Sequence, residues 1–308
     1  MNMASEERKA GIILVDKPAG MSSAAVVARI KRSVGAVKKI GHAGTLDPMA
    51  TGLLVCLVNS ATRLASYAEA GAKCYSGSFV FGIETSSNDI EGEVTARSNV
   101  RPTLPMISAL LPKFSGEIEQ TPPAVSAVKV NGKRAYKLAR EGKEPVLKSR
   151  KVNVSEFSLL IDESTTEDVR LEEVSFRIRC SKGTYIRSIA RDLGKELGCG
   201  AALSALRRED SAPFSVLNAV ELDDVAASDI IDWAHLFPSA PRVLLDEHKA
   251  DLLKNGNQLV IAELSSQIEE EQSDQDVTRA VCVRRSDESS IGLLVRDTAT
   301  WRLAANFV

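Results

Sequence analysis

The chain has 308 residues, 44% of them hydrophobic and 26% charged, with a formal net charge of −2; it is long enough for one large core and a smaller second domain. No apolar run approaches the ~20 residues of a membrane helix, and the start MNMASEERKA lacks the apolar centre of a signal peptide, so a cytoplasmic protein is expected. Cysteines at 56, 74, 180, 199 and 282 form no CxxC pair, and His42, His235 and His248 form no HExxH or i, i+4 pair, so neither a disulfide framework nor a protein-held metal is expected.

GxGxxG and GxxxxGK[ST] are also absent, which removes dinucleotide and P-loop chemistry. No cofactor is expected, and the chemistry falls to ordinary side chains. Along the chain, Gly11 to Val15 reads as a strand and Lys17 to Gly20 as the turn that ends it. Ser22 or Ser23 then caps a helix with Val26, Ile30 and Val34 on one face.

The next segment, GHAGTLDPMATG from Gly41 to Gly52, is a compact irregular loop that presents Asp47. Locally, Asp47 is either a turn cap before Pro48 or a carboxylate held for chemistry. Leu53 to Val58 (LLVCLV) is a short continuous apolar run, the pattern of a fully buried strand. A loop that feeds such a strand is fixed on a rigid scaffold, where binding and catalytic groups concentrate.

Lys73 to Phe81 reads as a strand with Tyr75 near its start. From Gln120 to Lys151 the hydrophobic period is lost and three prolines appear, at 122, 123 and 145. That segment is expected to be an inserted arm, part helix around Ala135 to Arg140. Between Lys129 and Lys151 it carries nine Lys/Arg against two acids, and Arg177 to Arg208 carries eight against two. Two such basic clusters suit a phosphate backbone, although charge runs are also found on merely solvated faces.

Val174 to Cys180 alternates as a strand, followed by SKGTYIRS turning into a helix with Ile186, Ile189, Leu193 and Leu197 on its apolar face. Arg187, at the helix start, is expected to leave the core and face a ligand or a carboxylate. A boundary near Pro238 to Pro241 precedes short strands at 259–262, 280–284, 291–296 and 301–308, which suggests a small all-β barrel with no long helix. The stretch Glu263 to Asp276, rich in acids, is expected to be a flexible loop on that barrel.

Five strings in order, DKPAGMSS, GHAGTLDPMATGLL, KCYSGSFVFG, SKGTYIRS and LRRE, closely resemble the TruB family of tRNA pseudouridine synthases, bacterial type, over residues 11 to about 210. The resemblance implies an α+β catalytic core (1–238) around a mixed, mainly antiparallel sheet, with an RNA-gripping thumb at about 120–151. It also implies a C-terminal barrel of PUA type (239–308). Its reaction would isomerise uridine to pseudouridine at position 55 of the tRNA T loop, with no cofactor and no metal. Asp47 matches the family's catalytic aspartate and Arg187 the arginine beside it. Tyr75 matches the residue that stacks on the flipped uracil, Tyr185 and Leu206 match pocket-lining positions, and His42 a histidine next to the displaced nucleotide. The expected partner is tRNA, gripped by a chain acting alone as a monomer. A guide-RNA particle subunit and a tRNA-folding module are the alternatives.

Overall fold

The computed structural model describes residues 10–307, apart from 36, 127, 131, 136, 137, 139, 140, 142–145, 162–167, 272–276, 298 and 299. An 11-stranded sheet forms the centre. Its main strands are β1 (Gly11–Lys17), β2 (Ile40–Ala43), β3 (Thr51–Val58), β4 (Lys73–Phe81), β5 (Gly116–Gln120), β6 (Arg150–Leu160), β7 (Glu173–Cys180) and β8 (Ala201–Ser211). They run in the order β1-β3-β8-β4-β7-β6-β5, with a two-residue strand at 220–221 outside β1. Pairing is antiparallel except for that edge strand and the contact of β8 with β3. The sheet is therefore mixed and mainly antiparallel, as expected.

Helix α1 (Ser23–Val34) begins where the Ser22 hydroxyl accepts from the Ala25 N–H, and it buries Val26, Ile30 and Val34. These side chains pack on Ile13, Val15, Leu54, Cys56 and Val58. The opposite faces of the same strands, through Ile12, Leu14, Leu53, Val55 and Leu57, enter a second cluster around Trp233. Burial on both faces explains why LLVCLV is continuously apolar rather than alternating. Short helices α2 (Ala65–Ala70) and α3 (Leu104–Leu110) lie between strands, and α4 (Ile186–Glu196) follows β7 and packs against β8.

The C-terminal part contains a four-stranded sheet of β9 (Arg242–Leu245), β10 (Arg279–Arg284), β11 (Ser290–Asp297) and β12 (Thr300–Asn306). Strands were expected at three of these places. It is not all-β, however: α5 (Glu247–Lys254) and α6 (Gln258–Glu271) pack on one face of the sheet. The segment 259–262 is thus helical, and the acidic stretch is helix up to Glu271, with 272–276 outside the described residues. Val260, Leu264 and Ile268 are buried at a spacing of four, and the Asn257 side chain accepts from the Leu259 and Val260 N–H groups. A capped helix with a buried stripe wins over the strand preference of its β-branched residues.

The other face of the C-terminal sheet carries Val281, Val283, Leu293, Val295 and Ala305 into the cluster around Trp233. The basic arm springs from β5 and returns in β6, whose ends pair Gln120 with Arg150. Its expected helix around 135–140 falls mostly outside the described residues. Among the described residues, no helix is long and apolar enough to cross a membrane. All five cysteines are buried and free.

Candidate active site

Register places the Asp47 loop. Along one edge of β3, β2 pairs with residues 55–58 and β8 with residues 51–52, so residues 44–50 leave the sheet between two partners of the same strand. The DKPAGMSS string holds this loop from the other side. The Ser23 hydroxyl accepts from the Leu46 N–H at 2.9 Å and donates to the Leu46 carbonyl at 3.0 Å. The Pro48 carbonyl accepts from the Gly20 N–H at 2.8 Å and from Lys17 Nζ at 3.1 Å. The backbone on each side of Asp47 is therefore fixed.

Lys17 is fully buried and also donates to the carbonyls of Pro18, at 2.8 Å, and Met21, at 2.7 Å. Burial pushes its ammonium down to about 8, against the pull of Asp47 and Glu91. Three carbonyls match the three donors of an ammonium group, so this lysine serves as the knot between the two strings.

Arg187 Nη2 donates to Asp47 Oδ1 at 2.9 Å. The arginine side chain is 5% exposed and the aspartate 31%, so the cation sits below and the carboxylate faces outward. Arg187 does not leave the core, contrary to expectation, but it does face a carboxylate. Its other terminal nitrogen, Nη1, donates to the Ser87 carbonyl at 3.0 Å and lies 3.5 Å from Asp89 Oδ2. Asp89 is buried and accepts from the Ser87 hydroxyl at 2.5 Å and the Glu91 N–H at 3.1 Å. Burial raises the Asp47 carboxyl above its ordinary value; the Arg187 cation opposes this and the Asp89 charge adds to it. Desolvation and a like charge thus outweigh one close cation.

The other expected site residues lie on β2, β4, β8 and the turn before α4. Tyr75 is half-buried on β4, directly across from Arg208 on β8. Burial raises its hydroxyl, which the Arg208 cation opposes and the Asp47 charge reinforces. Leu206 is buried opposite Gly77, in the cluster that holds Leu46 and Ala50, with Tyr75 packed against it. A Cβ on Gly77 would stand 2.2 Å from the Ala205 carbonyl oxygen, so the glycine lets β4 and β8 approach at the pocket.

Gly20, Met49, Ser76, Gly77, Leu206 and Arg207 help line a cleft of about 500 Å³ beside the loop. Tyr185 precedes α4; its backbone N–H and carbonyl are both held by the Gln120 amide, at 2.8 and 3.0 Å. The Arg150 guanidinium lies 4.8 Å from the centre of its ring. His42, on β2 and half-buried, opens the segment that leads to Asp47. Asp89, Lys17, Gln120 and Arg208 carry no catalytic expectation from sequence. The turn composition around SSND marks the place of Asp89 but not its partner. Among the described residues, no group of three His, Cys, Asp or Glu is placed to hold a metal ion.

The arrangement offers one outward carboxylate, a buried cation behind it, an aromatic ring and an adjoining cleft. That suits nucleophilic or basic attack on a planar, uncharged group without redox change. The chain matches the family model described as TruB family pseudouridylate synthase (N terminal domain) over residues 31–186, and that of the tRNA pseudouridylate synthase B C-terminal domain over 187–238. It is 44% identical over 263 residues to the tRNA pseudouridine synthase B of Leifsonia xyli subsp. xyli, covering 82% of this chain and 84% of that one. It is 46% identical over 222 residues to the protein of the same name from Thermobifida fusca, covering 70% and 74%. Among solved structures, a Cbf5-Nop10-Gar1 complex contains a chain with the same fold, at a TM-score of 0.64 and 21% identity, covering all of this chain and 86% of that one. With relatives this similar over most of its length, the chain belongs to the TruB family of pseudouridylate synthases.

Proposed function

We propose that this chain isomerises uridine to pseudouridine in the T loop of tRNA, at the nucleotide conventionally numbered 55, acting in the cytoplasm and without a guide RNA. The pairing of outward Asp47 with buried Arg187 beside the cleft carries this reading. In the reaction the N1–C1′ bond breaks, the uracil turns, and a C5–C1′ bond forms. C5 loses its proton and N1 gains one, so product and substrate are isomers. Nothing is oxidised and no group is transferred elsewhere.

Asp47 is the carboxylate that starts this exchange, as nucleophile or base, and Arg187 holds it in place and favours its ionised form. A uridine within a folded loop must be extruded to reach it, at a cost of a few kcal/mol. Stacking on Tyr75 offsets about 1 to 3 kcal/mol of that. Leu206 and Tyr185 line the pocket, and His42 stands beside the displaced nucleotide. The basic arm supplies phosphate contacts, so affinity falls steeply with salt.

The test is Asp47→Asn with tRNA tritiated at uridine C5. The variant should bind tRNA as wild type does and release no tritium. Turnover near the wild-type level would overturn the assignment of Asp47.

A further inference from the structure

Arg208 is the arginine that the site as described leaves without a role. Its side chain is 1% exposed, and among the described residues no carboxylate pairs with it, whereas Arg187 and Arg207 are each paired. Burying an unpaired guanidinium is costly, and an apolar residue would serve packing better. What the guanidinium touches explains its presence. Nε donates to the Leu53 carbonyl at 2.8 Å and Nη2 to the Gly44 carbonyl at 3.0 Å. On the sheet it is the cross-strand neighbour of both Gly52 and Tyr75, which puts its side chain on the same face as the Tyr75 ring.

These contacts join three parts of the site: the first turn of the Asp47 loop, the strand that follows the loop, and the ring that meets the base. Gly44 adopts φ +81°, and a Cβ there would stand 3.3 Å from Arg208 Nη1, so the turn is shaped around the guanidinium. Every polar atom of arginine is a donor. A Tyr75 oxygen that accepts from this neighbour keeps its own proton for an acceptor on a bound nucleotide.

We propose that Arg208 is a positioning residue for the isomerisation, fixing the Asp47 loop and Tyr75 in one frame and making the Tyr75 hydroxyl a donor to the flipped nucleotide. The proposal rests on the roles given above to Asp47 and Tyr75. It adds a coupling between two residues that those roles alone would leave independent.

The test uses the full chain and tRNA, with single-turnover tritium release, tRNA affinity and thermal melting measured for Arg208→Met, Arg208→Lys, Tyr75→Phe and the double variants. Arg208→Met should slow the single-turnover rate about 10- to 100-fold while tRNA affinity stays within about threefold, the signature of misplaced groups rather than lost binding. Arg208→Lys should recover part of the rate. In the Tyr75→Phe background the further loss from Arg208→Met should be clearly smaller, because the hydroxyl it orients is gone.

A wild-type rate in a folded Arg208→Met variant would overturn the proposal. So would losses that simply multiply in the double variant. Should Arg208→Met fail to fold, Arg208→Lys decides alone: its rate must fall at unchanged affinity, and fall less without the tyrosine hydroxyl. An active Asp47→Asn would instead remove the underlying reading, whereas an inactive Asp47→Asn beside normal Arg208 variants removes only the present proposal.

Discussion

Asp47 and Asp89 hold opposite terminal nitrogens of one guanidinium, Arg187 Nη2 at 2.9 Å and Nη1 at 3.5 Å. Asp89 thereby does two things with opposite consequences. It fixes Arg187 behind the Asp47 carboxylate, and it adds a negative charge that pushes the Asp47 carboxyl upward. Asp89→Asn separates them. The rate at neutral pH should fall about 10- to 100-fold as Arg187 loses its anchor. With Asp47 in the proposed role, activity should be lost as pH falls through its raised pKa, and that acid limb of the pH–rate profile should move to lower pH once the like charge is removed. A limb that moves to higher pH would mean that Asp89 acts on Asp47 only through Arg187.

The same carboxyl predicts a stability effect separate from its chemistry. A group whose pKa is raised by folding binds its proton more tightly in the native state, so ionising it costs native stability. For Asp47 the cost is absent below the ordinary aspartate pKa of about 3.9, grows as pH rises through the raised value, and is constant above it. Arg187 keeps Asp89 and the Ser87 carbonyl when Asp47 is neutral. Asp47→Asn should therefore melt no lower than wild type at pH 7, and any gain should vanish as the pH approaches 3.9. A lower melting temperature at pH 7 would show that the Arg187 pair outweighs desolvation.

Much of this site was legible in the sequence because it depends on local pattern. The glycines and Pro48 around Asp47 spell an irregular loop, LLVCLV spells a strand buried on both faces, and Ile186, Ile189 and Leu193 spell the face of α4. Asp89 was not legible: it sits in a turn next to Asn88, at φ +63°, and its meaning comes from a guanidinium nearly a hundred residues away in sequence. Arg187 was half legible, since helix periodicity gave its place at the start of α4 but not the pocket that buries it. The segment 258–271 failed for another reason. Its acids suggested a loop and its Val260-Ile261 pair a strand, while the deciding stripe of Val260, Leu264 and Ile268 acquires its value only from the sheet it covers.

Gln120 connects the root of the basic arm to the start of α4. Its buried amide donates to the Tyr185 carbonyl and accepts from the Tyr185 N–H, while Arg150, its cross-strand partner, lies over the Tyr185 ring. Gln120→Ala leaves the Tyr185 N–H unsatisfied, while the carbonyl keeps the Ser188 and Ile189 N–H groups, a loss of about 1 to 3 kcal/mol, measurable as a lower urea midpoint. It should also slow single-turnover pseudouridine formation about 10-fold at saturating tRNA, since Tyr185 directly precedes Ile186 and Arg187. Gln120→Glu keeps the acceptor for the N–H but loses the donor to the carbonyl, and should fall between the two. Unchanged rates in both variants would place Gln120 in scaffold maintenance alone.

Trp233 determines whether the C-terminal sheet is a separate unit or part of the core. It is buried, its ring stacks on Phe307 with centroids 4.1 Å apart, and its Nε1 donates to the Ser290 carbonyl at 3.1 Å. The cluster around it mixes Leu53, Val55 and Leu57 of β3 with Val281, Val283, Leu293 and Val295 of the C-terminal sheet. Cutting the chain after Pro241 would therefore expose the apolar face of β3 and should yield insoluble protein rather than an independent catalytic domain. Trp233→Ala in the full chain should cost about 3 to 5 kcal/mol, and it should lower the unfolding of both parts together in a single calorimetric transition. A chain ending at Pro241 that stays soluble, melts cooperatively and still forms pseudouridine would show instead that the shared cluster is a docking contact, with the catalytic sheet complete without it.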